Sequence, residues 1–99
     1  MKWIGQITYD ETSYFREDIL IEDDNKLKLG TGGDGEIYVS SDDLYIVNTT
    51  DNKSIIFQSD NNSGGVTEYF RLNGAEARTV FPRNALFQDG AQVMLGNGG

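Results

Sequence analysis

A glycine-rich stretch is the first feature of this sequence whose residue types and spacing could do chemistry. Residues 30–35 read GTGGDG, which matches the G-x-G-x-x-G pattern of dinucleotide-binding loops. That pattern binds a pyrophosphate only where a helix begins directly after it, because the helix N-terminus supplies the N–H donors. Residues 36–40 instead alternate like a strand, and the carboxylates of Asp34 and Glu36 would repel phosphate. We therefore expect a tight turn here and no nucleotide site.

Acidic residues come in adjacent pairs that could bind calcium or act as paired catalytic carboxylates. The pairs are Asp10-Glu11, Glu17-Asp18, Glu22-Asp23 and Asp42-Asp43, with Asp24 beside the third. They lie where turns are expected, and solvated turn carboxylates are the simplest interpretation. The glycine stretch also resembles calcium-binding β-roll repeats, but Ile37 stands where that motif needs an aspartate. We expect no metal, no cofactor and no catalytic residue.

Composition excludes several classes of function. The sequence has no histidine and no cysteine, so Ser-His-Asp catalysis, thiol chemistry and disulfides are ruled out. Eight basic and sixteen acidic residues give a net charge of −8, which argues against nucleic acid and anionic lipid as partners. No apolar run approaches the roughly 20 residues of a spanning helix. We expect a non-enzymatic protein that does not insert into membranes.

Four aromatic residues could form a sugar-stacking surface: Tyr38, Tyr45, Tyr69 and Phe70. Aromatic residues in strands more often pack within the core or against another subunit. Such a sugar-stacking surface would fit an alternative function, in which the chain is a stand-alone β-sandwich carbohydrate-binding module.

Short strands separated by turns account for most of the sequence, with turn signals roughly every 8–12 residues. Leu27 and Leu29 alternate with lysines, which predicts a half-buried strand. In residues 66–72, Val66, Glu68, Phe70 and Leu72 are predicted to share one face, opposite Thr67, Tyr69 and Arg71. Residues 44–47 are apolar throughout, as in a strand buried on both faces. Asn73-Gly74 predicts a tight turn.

The N-terminal residues are harder to interpret. Residues 1–14 are expected to be a lead segment, in which residues 7–9 could be a strand and Trp3 could seal one end of the core. Ser13 followed by Arg16-Glu17 could open a short helix. Residues 18–22 alternate and read as β, as does the sequence from Asp18 onward.

A cassette in residues 15–33 recurs in residues 81–99 at a constant offset of 66. Phe15 matches Phe81, and Leu29 matches Leu95. Residues 15–99 therefore read as one β-rich repeat unit with the opening of a second. Because only 37% of residues are hydrophobic and twelve are glycine, we expect the unit to share its core with other copies in an oligomer.

Residues 43–74 read DLYIVNTTDNKSIIFQSDNNSGGVTEYFRLNG. This stretch resembles repeats in tail-fibre structural proteins of marine tailed bacteriophages, which carry IIFQSD and TEYFRL-G segments in the same order. The F-P-x-N of Phe81-Pro82-Arg83-Asn84 and the restart at residues 94–99 are similar to that family's spacing. The resemblance covers residues from about 26 to 99. Residues 35–39 depart from it, because the family commonly has a histidine-ended strand there.

The resemblance implies an all-β virion protein: an elongated tail-fibre or tail-spike segment, intertwined or packed as a homotrimer, without catalysis. It also implies attachment to the host surface, with a cell-surface saccharide as the potential partner. Loops carry recognition while strands hold them. The loop residues expected at such a surface are Asn61, Asn62, Ser63, Thr31 and Asp34.

Overall fold

The computed structural model describes residues 8–96, and within this range the chain is all-β. The strands are β1 (Lys26–Leu29), β2 (Gly35–Ser40), β3 (Asp43–Asn48), β4 (Ile55–Asp60), β5 (Val66–Asn73) and β6 (Arg78–Val80). They form two antiparallel three-stranded sheets, β1-β2-β3 and β4-β5-β6, in which each strand pairs with its neighbour in sequence. The expected class of short antiparallel strands is confirmed.

The first sheet, β1–β3, consists of two hairpins. The glycine stretch is the loop between β1 and β2, which meet at the pair Leu29 and Gly35. Gly30 and Gly33 have φ angles of 91° and 71°, and the Gly33 amide donates a hydrogen bond to the Gly30 carbonyl at 2.9 Å. Ser41-Asp42, with both φ angles positive, joins β2 to β3 as a two-residue hairpin turn does. The glycine stretch is thus a turn followed by a strand, as expected.

The second sheet, β4–β6, follows the first after a short connection, residues 49–54. The Asn48 side chain donates a hydrogen bond to the Ser54 carbonyl at 2.9 Å and closes this connection. The turn after β5 lies against it, because the Gly74 amide donates to the Ser54 hydroxyl at 3.3 Å. A Cβ atom at Gly74 would overlap the carbonyl oxygen of Lys53. This turn spans residues 74–77, whereas Asn73, which was predicted to lie in it, ends β5; its first position, Gly74, needs glycine for space.

No described residue is buried. The accessible surface is 9516 Å², whereas a folded monomer of 11.0 kDa has about 5,600 Å². The radius of gyration is 18.5 Å, against about 13 Å for a compact domain of 100 residues. The substantial contacts between strands all lie within one sheet or the other. Apolar surface that a monomeric domain would enclose is therefore in contact with solvent.

The expectation that residues 44–47 are buried on both faces is wrong. They lie in β3, an edge strand of the first sheet, where Leu44 is 65% and Ile46 50% exposed. A continuous apolar run predicts a strand suited to being covered on both sides. Neither sheet supplies the second layer that would cover it.

The secondary structure expected near the N-terminus is not found in residues 8–22. The short helix at Ser13 and Arg16-Glu17 is absent, since residues 8–96 contain no helix, and residues 18–22 form no strand. One capping residue without an apolar stripe of helical period does not stabilise an isolated turn of helix. Thr8 and Tyr9 are not in a strand. Trp3 and Ile7 lie outside the described residues.

The two copies of the cassette also differ in structure. β1 belongs to the first copy, but the matching residues 92–95 form no strand. β1 is held by its pairing with β2. Within residues 8–96, the second copy has no strand equivalent to β2 beside it, so its backbone N–H and C=O groups have no neighbouring strand with which to form hydrogen bonds. Gly98 and Gly99 lie outside the described residues.

Candidate functional site

The first sheet separates apolar from charged side chains onto opposite faces. Its pairing aligns Leu27, Ile37 and Ile46 in one row across the three strands. Paired residues point to the same side of an antiparallel sheet, as do alternate residues along a strand. The first apolar face therefore carries Leu27, Leu29, Ile37, Val39, Leu44 and Ile46. The opposite face carries the charged residues Lys26, Lys28, Glu36 and Asp43.

The second sheet has an apolar face built on three stacked phenylalanine rings. The Phe57 and Phe70 ring centroids are 4.4 Å apart, and Phe81 stacks on Phe70 at 5.7 Å. Ile55 pairs with Leu72 next to this phenylalanine ladder, on the same face. The second apolar face therefore consists of Ile55, Phe57, Phe70, Leu72 and Phe81. Even here Leu72 remains 44% and Phe81 58% exposed.

The tyrosines do not form a flat platform. Tyr38 and Tyr45 stack on each other with centroids 4.9 Å apart, and the Lys26 ammonium lies 4.7 Å from the Tyr38 centroid. Since β2 lies between β1 and β3, Lys26 covers one side of the Tyr38 ring and Tyr45 covers the other. Tyr69 and Phe70 lie on the other sheet, where the Tyr69 hydroxyl donates to the Asp60 carbonyl at 2.8 Å. Tyr38 and Tyr45 thus lie together on one sheet, whereas Tyr69 and Phe70 lie on the other.

The glycine loop places Thr31 and Asp34 on the surface, where both are exposed. The Asp34 carboxylate folds back over the loop, within 3.3 Å of the position that a Cβ atom would take at Gly32. The Asp34 carbonyl accepts hydrogen bonds from the amide and hydroxyl of Thr49, at 2.8 and 3.1 Å. The loop is therefore tied to the connection between the sheets.

The polar loop, residues 61–65, is organised by one side chain. The side-chain oxygen Oδ1 of Asn61 accepts hydrogen bonds from the backbone amides of Ser63 and Gly65 at 2.8 and 3.3 Å. The side-chain nitrogen Nδ2 of Asn61 donates to the Thr67 hydroxyl at 3.1 Å. Asn62 has a φ of 62°, and in the described part of the chain its side chain forms no hydrogen bond. Asn61 thus holds the loop, while Asn62 is presented at its tip.

The structure does not bring the two predicted recognition loops together. The glycine loop contacts Thr49, in the connection that leads from the end of β3 to the start of β4. The polar loop follows the end of β4, which is six residues long, or about 20 Å at the usual rise per residue. Any surface that they form would be two separate patches on one chain.

A β-bulge in β5 determines which charged residues meet. Phe57 pairs with Phe70, but the next residue, Gln58, pairs with Glu68, so Tyr69 is an extra residue. The predicted alternation, which placed Glu68 with Phe70 and opposite Arg71, is therefore wrong. The extra residue moves Glu68 to the face of Arg71 and leaves Phe70 on the apolar face.

This charged face carries a groove that strand alternation did not reveal. Arg71 donates from Nε and Nη2 to the two carboxylate oxygens of Glu68, at 2.7 and 2.5 Å. Arg78 donates from the same two atoms to Oε1 of Glu76, at 3.2 and 3.0 Å. Together with Arg83 these residues line an open groove of about 780 Å³, hereafter the arginine groove. One signal in the sequence could have indicated the bulge: the opposite charges of Glu68 and Arg71, three residues apart in a predicted strand.

The electrostatics of the groove follow from these contacts. The hydrogen bonds from Arg71 hold the pKa of the Glu68 carboxyl below its ordinary value of 4.5. The same hydrogen bonds raise the pKa of Arg71, so both groups are charged at neutral pH. Because the pair is open to solvent, it contributes little to stability, and its main effect is to orient the guanidinium group of Arg71.

Residues 8–96 contain neither a cluster of metal-binding side chains nor a membrane-spanning helix. No three acidic side chains there come close enough together to hold a metal ion. Asp23 and Asp24 lie in one turn, whereas Asp42 lies in another and Asp43 begins β3. No helix in the same range is long and apolar enough to cross a bilayer.

Comparison with known proteins adds no relative. No protein-family model, curated protein or solved structure matches the chain.

Proposed function

We propose that this chain is a structural segment of a phage tail fibre that assembles as a homotrimer in the virion and contributes to attachment to the host surface. The fibre assignment rests on the resemblance of residues 43–74, above all the segments IIFQSD and TEYFRLNG. The β-rich fold without a helix in residues 8–96 is consistent with it. Assembly rests on a separate physical observation.

The observation that supports assembly of the chain into an oligomer is its excess of exposed surface. The chain exposes 9516 Å², about 3,900 Å² more than a folded monomer of its mass. A stable interface of standard size buries about 800 Å² on each partner. The excess is therefore sufficient for more than one such interface per chain, as a subunit with two neighbours requires.

The two apolar faces are the surfaces that copies are expected to share. Neither face carries a charged side chain in its strand pairing. Joining them brings no like charges together, although each chain has a net charge of −8. Full burial of one large aliphatic or aromatic side chain contributes about 1.5–3 kcal/mol, so half-exposed residues such as Ile46 gain a large part of this on assembly. The charged faces then remain outward, where salt screens them.

Two adjacent residues of β3 test this arrangement, because they point to opposite faces. Ile46→Lys places a charge on the first apolar face, whereas Val47→Lys places the same charge opposite Glu36 on the charged face. We expect Ile46→Lys to reduce the mass in solution to that of one chain, and Val47→Lys to leave the assembly intact. Equal masses for the two variants would mean that the first apolar face is not a contact between subunits.

A further inference from the structure

The groove on the charged face of the second sheet has no assigned role, and its composition is unusual for this chain. Three of the chain's four arginines line it: Arg71, Arg78 and Arg83. With Glu68 and Glu76 they give the groove a net charge of +1, while the whole chain has −8. The groove thus carries a small net positive charge on a chain that is acidic overall.

The glutamates prepare two of these guanidinium groups for a ligand. Glu68 engages Nε and Nη2 of Arg71, and Glu76 engages the same atoms of Arg78. The N–H groups of each Nη1 remain uncommitted by these bonds, on a guanidinium already held in place. A pre-oriented donor loses less conformational entropy when it binds.

Arg83 supplies the uncompensated charge. It follows Pro82 directly, and its guanidinium forms no ion pair with an acidic side chain of residues 8–96. A guanidinium forms two parallel hydrogen bonds with a carboxylate. A net charge of +1 suits a singly charged carboxylate better than a dianionic phosphate, which the two glutamates would repel.

We propose that the arginine groove binds an acidic saccharide, through a sugar carboxylate at Arg83 and hydroxyl groups at the glutamate–arginine pairs. Sugar hydroxyls both donate and accept hydrogen bonds, so Glu68 and Glu76 accept while Arg71 and Arg78 donate. The groove's apolar lining is Val80 and Pro82, without an aromatic ring, so recognition relies on hydrogen bonds and charge. This inference names a ligand class for the attachment part of the proposed function, and every groove residue comes from one chain.

The test measures binding of a trisaccharide that carries a single galacturonate carboxylate to the full chain by isothermal titration calorimetry at low salt, with its methyl ester as the uncharged probe. We expect binding of the acid and little binding of the ester. Arg83→Gln is expected to weaken binding of the acid roughly 10- to 100-fold, because it removes the charged donor of the two hydrogen bonds to the carboxylate. Arg16→Gln, which removes the one arginine outside the groove, is the charge-matched control and should leave affinity unchanged.

Several outcomes would overturn the inference. They are no binding of the acidic trisaccharide by the unmodified chain, equal affinity for acid and ester, or equal affinities of Arg83→Gln and the unmodified chain. The mass in solution of each variant is measured in parallel. A change of mass in Arg83→Gln would mean that the groove is a contact between subunits, again contradicting a saccharide site. A loss of affinity at unchanged mass separates this inference from the assembly proposal, which the Ile46→Lys variant tests.

Discussion

Glu68 and Arg71 lie three residues apart in one strand and nevertheless face the same side of the sheet, joined by two hydrogen bonds of 2.5 and 2.7 Å. Residues at this separation in a regular strand point to opposite sides. Tyr69, the extra residue of the bulge, reverses the alternation between them. The same residue therefore directs Glu68 into the arginine groove and Phe70 into the phenylalanine ladder.

The Glu68–Arg71 pair predicts a dependence of stability on pH. Because the pKa of folded Glu68 is below its unfolded value of 4.5, its contribution is fully present above that pH. The contribution is lost as the pH falls below 4.5 and through the folded pKa. We expect Glu68→Gln to lower the free energy of unfolding slightly at pH 7 and by less at pH 3, measured by urea unfolding at fixed protein concentration. An equal loss at both pH values would contradict a charge-dependent role for Glu68.

The phenylalanine ladder predicts unequal costs for the same substitution at two positions. Phe70 stacks on both Phe57 and Phe81, whereas Phe81 stacks on Phe70 alone. An aromatic pair contributes about 0.5–1.5 kcal/mol beyond the area that it buries. Phe70→Leu should therefore destabilise by about twice as much as Phe81→Leu in chemical unfolding. A larger effect at Phe81 would show that the ladder does not determine stability on this face.

The contact between the two turns makes Gly74 intolerant of a side chain. A Cβ atom there overlaps the Lys53 carbonyl, so Gly74→Ala must displace backbone, at about 1–3 kcal/mol. Gly65→Ala is the matched control, since its Cβ atom would meet only the Asn61 amide nitrogen, at an ordinary 3.8 Å. We expect a lowered midpoint of thermal unfolding for Gly74→Ala and little change for Gly65→Ala. Similar midpoints for both variants would mean that the turns do not pack as described.

The polar loop separates a structural asparagine from an exposed one. Asn61→Ala removes three hydrogen bonds of the loop and should lower stability by about 1–2 kcal/mol. Asn62→Gly removes only the exposed side chain, and glycine accepts the φ of 62° without strain. If the loop contacts the host, Asn62→Gly reduces adsorption of virions at unchanged stability. Unchanged adsorption would remove Asn62 from the attachment surface.

Most strands could be predicted because their local patterns are sufficient to specify them. Leu27 and Leu29 between lysines predicted β1, and a turn does begin at Gly74, although it spans residues 74–77 and not the dipeptide Asn73-Gly74. The β-branched and aromatic residues of β2 and β5 favour a pleated strand wherever it lies. These are properties of short stretches, and the structure agrees with them.

What the sequence could not predict depends on longer-range arrangement. The apolar run in β3 indicated a strand that prefers to be covered, but coverage depends on a second layer that the chain does not place there. The arginine groove was missed because one extra residue, Tyr69, exchanges the faces of Glu68 and Phe70. A bulge of this kind is set by cross-strand pairing, which hydrophobic alternation alone does not report.

The mass of the chain in solution, measured by light scattering behind a sizing column, tests the central claim most directly. We expect one species of three times 11.0 kDa, about 33 kDa. This mass would follow from burial of the two apolar faces that a single chain leaves exposed. A species of 11.0 kDa that unfolds cooperatively would contradict the account, because the isolated chain would then have found a core of its own.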